Sequence, residues 1–248
     1  MEFSGNSRFE RYGHLADLLF STKLTHIANV DAIEKEYGWA IKGISGTTIS
    51  MTYRRQIELS FDIASFQGAK PSAAIDLCCV AASPEGDSQP PAPEKAFFCA
   101  CIRDYVRSLV PSEIKIPTLL RLVSSAWSRA ITASNNIRLL NCTFPTEVVA
   151  ASESSMTLKV ALLLVPLETK VHIAVDIQAR STPKGMDFAI VPQANVVYGE
   201  QFKMDKVNEY LSTRLGDRIT TPEENSAVES WSDVIVELHE RLIARGRR

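Results

Sequence analysis

Apolar residues recur every three to four positions through residues 8–37, at Phe9, Tyr12, Leu15, Leu19, Leu24, Ile27, Val30, Ile33 and Tyr37, a spacing that lays one stripe along a helix. The stripe predicts a helix of about 29 residues, about 43 Å long at 1.5 Å per residue. That is long for a globular domain, and the helix is expected to continue a coiled coil lying upstream in a longer parent protein. Gly38 ends it, and the period falls to two. Trp39 and Ile41, then Ile49, Met51 and Tyr53, then Ile57, Leu59, Phe61 and Ile63 alternate with polar neighbours, as half-buried strands do. Ser45-Gly46 suits a turn between the first two. Short connections favour an antiparallel meander with one wet face. A fourth strand fits residues 73–81, and the Pro-rich stretch 83–93 reads as a loop.

Two helices follow. Residues 94–110 turn Phe98, Ile102, Tyr105 and Leu109 inward, and residues 117–135 turn Leu120, Val123, Trp127 and Ile131 inward. Pro117 suits a first helical turn. The same order then returns: an extended segment over 137–149, alternation over 156–164 and 171–177, and a last strand over 188–198, where Pro192 favours an edge or a bulge. Helices are predicted over 201–215, with Gly216 at the C-cap, and over 230–244, joined by the polar link 220–226. Consecutive strands disfavour a parallel doubly wound sheet, so the predicted class is α+β. The boundary between the two repeats is placed near Ser134-Asn135-Asn136, with the helix from Pro117 serving both. The expected organisation is a helix over 1–37, a first unit over 38–116 and a second over 117–248.

Composition narrows the partners. The chain has 248 residues with 27 Lys plus Arg against 29 Asp plus Glu, a formal charge of -2, so no global field gathers nucleic acid or anionic lipid. The longest apolar run, around residues 160–167, is interrupted by Pro166 and falls short of the roughly 20 residues that span a bilayer. Neither direct nucleic-acid binding nor membrane association is expected. The N-terminus lacks the regions of a secretory signal. Adjacent Cys78 and Cys79, paired Cys99 and Cys101, and single Cys142 spell no disulfide framework or zinc knuckle, which suits reduced intracellular thiols.

Catalytic and cofactor chemistry is unsupported. Phosphate-binding glycine loops are absent. His14, His26, His172 and His239 are scattered without metal-ligand spacing, so neither a metal site nor any other cofactor is expected. Cys142 and Cys101 have no His and Asp signature around them. Arg241, Arg245, Arg247 and Arg248 form the one local charge cluster, at a predicted helix C-terminus where the backbone dipole favours cations. Arg54-Arg55 reads as a solvated hairpin end, and Glu223-Glu224 as a solvated linker.

Specific strings add a resemblance. Gly38-Trp39, Gly43-Ile44-Ser45-Gly46-Thr47-Thr48 and the run from Tyr53 to Asp62 resemble the opening of the C-terminal domain of the fungal Spc/Knl kinetochore scaffold family. Glu94-Lys95-Ala96-Phe97-Phe98, the run from Val123 to Ala130, Ile137-Arg138-Leu139-Leu140, Phe144-Pro145-Thr146-Glu147 and Val197-Tyr198-Gly199-Glu200 continue it in order. Helix, meander and helix is also the outline of the ubiquitin-conjugating fold. The His-Pro-Asn element of those enzymes is missing here, and the RWD domain is their inactive, protein-binding relative. The Tyr-Pro signature of generic RWD domains is absent, with Phe144-Pro145 its nearest approach.

The resemblance implies two RWD-like units in tandem, each a four-stranded antiparallel meander packed by helices. It implies a non-catalytic module in the nucleus, at the kinetochore of the centromere, docking a scaffold onto the Mis-type (MIND) complex of the KMN network through an extended tail. A Zwint-like or Kre-like coiled-coil subunit would engage the helix over 1–37. A ubiquitin-conjugating-like enzyme variant is the alternative, told apart by thioester formation on a cysteine. The candidate docking residues are Val197, Tyr198 and Phe202, on an expected edge strand able to accept an added strand, with Arg129 and Arg138 placed to meet an acidic tail. Val196, Tyr198 and Phe202 could instead fill the second unit's core.

Overall fold

The computed structural model describes residues 38–66, 75–80, 92–182, 185–221 and 229–246. The helix expected over 1–37 and nearly all of the loop expected over 83–93 lie outside them. The described chain is α+β, with two four-stranded antiparallel sheets. The first runs β1 (Trp39–Ser45), β2 (Thr48–Tyr53), β3 (Ile57–Asp62), β4 (Asp76–Cys79), and the second β5 (Thr146–Ala151), β6 (Ser155–Leu164), β7 (Thr169–Thr182), β8 (Gly185–Tyr198). Strands lie side by side in chain order in both, so both are meanders. Between the sheets in sequence come α1 (Pro93–Ser108) and α2 (Ile116–Thr143), and after them α3 (Met204–Leu215) and α4 (Trp231–Gly246).

The chain divides into two compact units, residues 1–91 with 102–124, and residues 92–101 with 125–248. In the first unit the period-two pattern stacks Ile49 on Phe61, Met51 on Leu59 and Tyr53 on Ile57, all buried. The opposite face is wet: Ser50 and Ser60 hydroxyls are 2.9 Å apart, and Lys42 Nζ lies 2.6 Å from Glu58. Residues 54–56 turn the β2–β3 hairpin, with Arg54 and Arg55 in the left-handed region at φ 47° and 57° and the Gln56 N–H donating to the Tyr53 carbonyl at 2.9 Å, as two positive φ values in a hairpin turn do. Both are exposed.

In the second unit the buried rows are Met156–Ile177–Ile190, Leu158–Val175–Pro192, Val160–Ile173–Ala194 and Leu162–Val171–Val196. Most of these side chains are fully buried, each large aliphatic one contributing about 1.5–3 kcal/mol of transfer free energy. Phe98 of α1 meets Phe188 edge-on at 4.9 Å. Val207, Leu211 and Leu215 of α3, and Trp231, Val234, Leu238 and Leu242 of α4, are buried at helical spacing.

One segment departs from the sequence reading. Residues 137–143, expected to be extended, are the last turns of α2, and the strand is only Thr146–Ala151. The repeat boundary expected at residues 134–136 therefore falls within a helix. Ile137 and Leu140 are buried while Leu139 is exposed, a helical phase that a short window of mixed aliphatics hides. Asn136, which read as a helix stop, is occupied: its Oδ1 accepts the Trp231 N–H at 3.3 Å. Smaller shifts of boundary occur at α3, which starts at Met204, and at β7 and β8, which are longer than expected.

Candidate partner-docking surface

β8 is an edge strand of the second sheet, as Pro192 suggested. Alternate residues of an edge strand turn both N–H and C=O outward, and on β8 the outward N–H groups are satisfied one by one. The Phe188 carbonyl accepts the Ile219 N–H at 2.9 Å, and the Ile190 N–H donates to the Asp217 carbonyl at 2.9 Å. Pro192 has no N–H to satisfy. The Ala194 N–H donates to Asn208 Oδ1 on α3 at 2.7 Å. Alternation puts Val196 next on this edge, and among the described residues nothing caps it. The open stretch of edge is the end of β8.

That end is held firmly. A bulge at Val197 shifts the register, so that Val196 pairs with Val171 and Tyr198 with Lys170. Gly199 follows at φ 94°, where an added Cβ would stand 2.4 Å from Thr169 Oγ1 and 2.7 Å from the Glu168 carbonyl. The buried Thr169 hydroxyl donates to the Leu167 carbonyl at 2.7 Å and accepts the Glu200 N–H at 2.7 Å. Upon this frame Val197 is 46% and Tyr198 54% exposed, while Val196 and Phe202 are half-buried.

The apolar surface extends across the sheet. Leu163 pairs with Lys170 and Lys170 with Tyr198, so the three share one row on the face away from the core. Leu163 is 49% and Val165 77% exposed. Sequence reasoning missed both, although Leu163 carried a signal: it is the one large aliphatic out of phase in the alternation of β6.

The two arginines lie on α2. Arg129 on α2 donates through Nη1 to the Met186 carbonyl at 3.0 Å, with Nε 3.9 Å from Asp187. It holds the start of β8, whereas Tyr198 is at the finish, about 37 Å away along the strand at about 3.4 Å per residue. Arg138 is an exposed position on α2. Val197 and Tyr198 are neighbours at the end of β8, Phe202 follows four residues later in the chain, and Arg129 is at the other end of the strand.

Among the described residues no group of His, Cys, Asp or Glu is placed to hold a metal ion, and no helix is long and apolar enough to cross a membrane. All described cysteines are free thiols, and Cys99 and Cys101 are buried. Burial, with Glu58 and Asp76 adding, pushes the exposed-side Cys78 thiol up, against what a nucleophile needs.

The fold defines an α+β protein of two helix-flanked antiparallel meanders. Residues 23–133 match the family model of the Knl1 RWD C-terminal domain, a match consistent with a kinetochore RWD region of the Knl/Spc type. The match takes in the first sheet, α1 and most of α2, and the second sheet lies beyond it. That family points to a non-catalytic protein-interaction module of chromosome segregation. No curated protein matches the chain.

Proposed function

We propose that this chain anchors a kinetochore scaffold to the Mis-type (MIND) complex of the KMN network, and so supports kinetochore–microtubule attachment and checkpoint signalling. An extended partner tail adds to the open end of β8, with main-chain hydrogen bonds to Val196 and side-chain contacts to Val197, Tyr198 and Phe202. The observation that carries this reading is the pattern of outward N–H groups on β8: those of Ile190 and Ala194 are bonded and Pro192 has none, so the next, at Val196, falls beside the exposed Val197 and Tyr198. Strand addition uses such an edge. Arg138 meets acidic residues of the tail, and the helix over 1–37 engages the Zwint-like or Kre-like coiled-coil subunit. The site of action is the kinetochore in the nucleus.

A pull-down with reconstituted Mis-type complex tests this, with cross-linking to locate the tail. Tyr198→Ala with Val197→Asp is expected to weaken capture by about tenfold or more, as loss of a hot-spot aromatic does, while circular dichroism stays unchanged. Undiminished capture by that variant would remove β8 from the account. Charge reversal at Arg138 that alters neither folding nor affinity would remove that residue alone.

A further inference from the structure

The grip that β8 offers an added segment is short. Toward the start of the strand the outward N–H of Ala194 is taken by Asn208 and Pro192 has none, so the free donor is at Val196. Past Tyr198 the strand ends. One or two main-chain hydrogen bonds, each modest once exchange with water is counted, do not hold a partner alone.

The outward row Leu163–Lys170–Tyr198 supplies what the edge lacks. Leu163 and Tyr198 are about half exposed, and Val165, at the turn between β6 and β7, is more than three-quarters exposed. Together they leave roughly 300 Å² of apolar surface, within the range of functional patches on monomers. That is under half of the about 800 Å² that each partner of a stable interface buries. The patch is too small to hold a second copy of this chain, and it suits a few residues of an extended segment. On the opposite face Leu162, Leu164 and Val171 are fully buried, so a segment leaving the edge of β8 can cross the sheet only on the outer side.

Charge narrows the occupant. Lys170 stands between Leu163 and Tyr198, and no carboxylate among the described residues pairs with it; Glu168 and Glu200, exposed in the adjoining turns, do not. In the next outward row lies His172, between Ala161 and Asn195. Burial holds its imidazole below the ordinary value, with Lys159 and Lys170 adding against Glu147. Lys159 has Glu147 at 3.6 Å, which leaves the charge at Lys170 uncompensated. A cation set between exposed apolar side chains matches a carboxylate set among large apolar residues.

We propose that the tail that adds at Val196 turns across the outer face of the second sheet and lies along Tyr198, Lys170 and Leu163 as far as Val165. Its large apolar side chains cover Tyr198, Leu163 and Val165, and a carboxylate meets Lys170. This rests on the docking reading above and gives the tail its chemistry, a short stretch holding both an acidic residue and large apolar ones. The row is about 10 Å wide at about 4.8 Å per strand, the length of about three extended residues.

Capture of reconstituted Mis-type complex by the full chain, with a photo-cross-linking residue in place of Val165, tests the path. The tail is expected to cross-link at position 165 as it does at position 197. Leu163→Asp with Val165→Asp should weaken capture about tenfold or more. Lys170→Glu should weaken it about tenfold and flatten its dependence on salt, while Lys170→Arg keeps it. Wild-type capture by the Leu163 and Val165 variant or by Lys170→Glu, or no cross-link at 165, would overturn the inference. Where Tyr198→Ala with Val197→Asp still loses capture, docking at β8 stands without it. No capture by the wild-type chain would overturn the docking reading and this inference together.

Discussion

Gly199 shows how little freedom a single position can have. Its φ of 94° belongs to glycine, and a methyl group there would overlap Thr169 Oγ1 and the Glu168 carbonyl. Strain at such a backbone costs about 1–3 kcal/mol, and overpacking adds about as much. Gly199→Ala is therefore expected to destabilise the chain by at least about 2 kcal/mol, read from chemical denaturation, and to weaken partner capture by moving Tyr198. Wild-type stability in that variant would mean that Thr169 yields freely. His172, on the wet face of β7, gives a pH signature. Burial, with Lys159 and Lys170 adding against an opposing Glu147, holds its imidazole below the ordinary 6.5. Between the folded value and 6.5 the unfolded chain binds more protons, so stability rises with pH across that window. It is fully present above 6.5 and lost as pH falls through the folded value. His172→Gln should flatten that slope in thermal melts between pH 5 and 7.5, and an unaltered slope would place the dependence on another group.

At the scale of elements, the cap that α3 lends to β8 rests on one side chain. Asn208→Ala leaves the Ala194 N–H without its acceptor, a loss of about 1–3 kcal/mol for a buried donor. Faster amide exchange at Ala194 is expected, and protection equal to the wild type would show that the cap contributes nothing. The strands were legible because their burial is one-sided: Met156, Leu158, Val160, Leu162 and Leu164 spell β6 unaided, and Pro192 announced an edge. The end of α2 was not. Asn135 and Asn136 look like a helix stop until Trp231, almost 100 positions later, supplies a use for Asn136. The docking residues divide in the same way. Val197 and Tyr198 follow from their place on a strand, but Arg129, near the joint in sequence, spends its guanidinium on Met186 and Asp187. The Asn208 cap and the row from Leu163 to Tyr198 depend on residues about 15–35 positions apart meeting in space, which no local periodicity records.

For the whole molecule, neither compact unit is a continuous stretch of sequence. The second takes residues 92–101 as well as 125–248, and that short segment brings Phe98, fully buried, onto Phe188 at 4.9 Å. Ser134 adds a hydrogen bond to Glu94 at 3.3 Å. A fragment over 117–248, the span that the repeat in the sequence suggests, would leave Phe188 facing the space that Phe98 fills. Truncating a buried phenylalanine costs about 3–5 kcal/mol, a large part of the roughly 5–15 kcal/mol that holds a domain together. Phe98→Ala in the full chain should therefore unfold at markedly lower denaturant concentration. The edge-on pair contributes about 0.5–1.5 kcal/mol beyond area, so the Phe98→Ala and Phe188→Ala effects should fail to add by about that much. A fragment over 92–248 should keep the near-ultraviolet dichroism of the second unit that the fragment over 117–248 loses. Equal signals from the two fragments would show that the meander closes its core without α1, and the second unit would then begin where the sequence repeat begins.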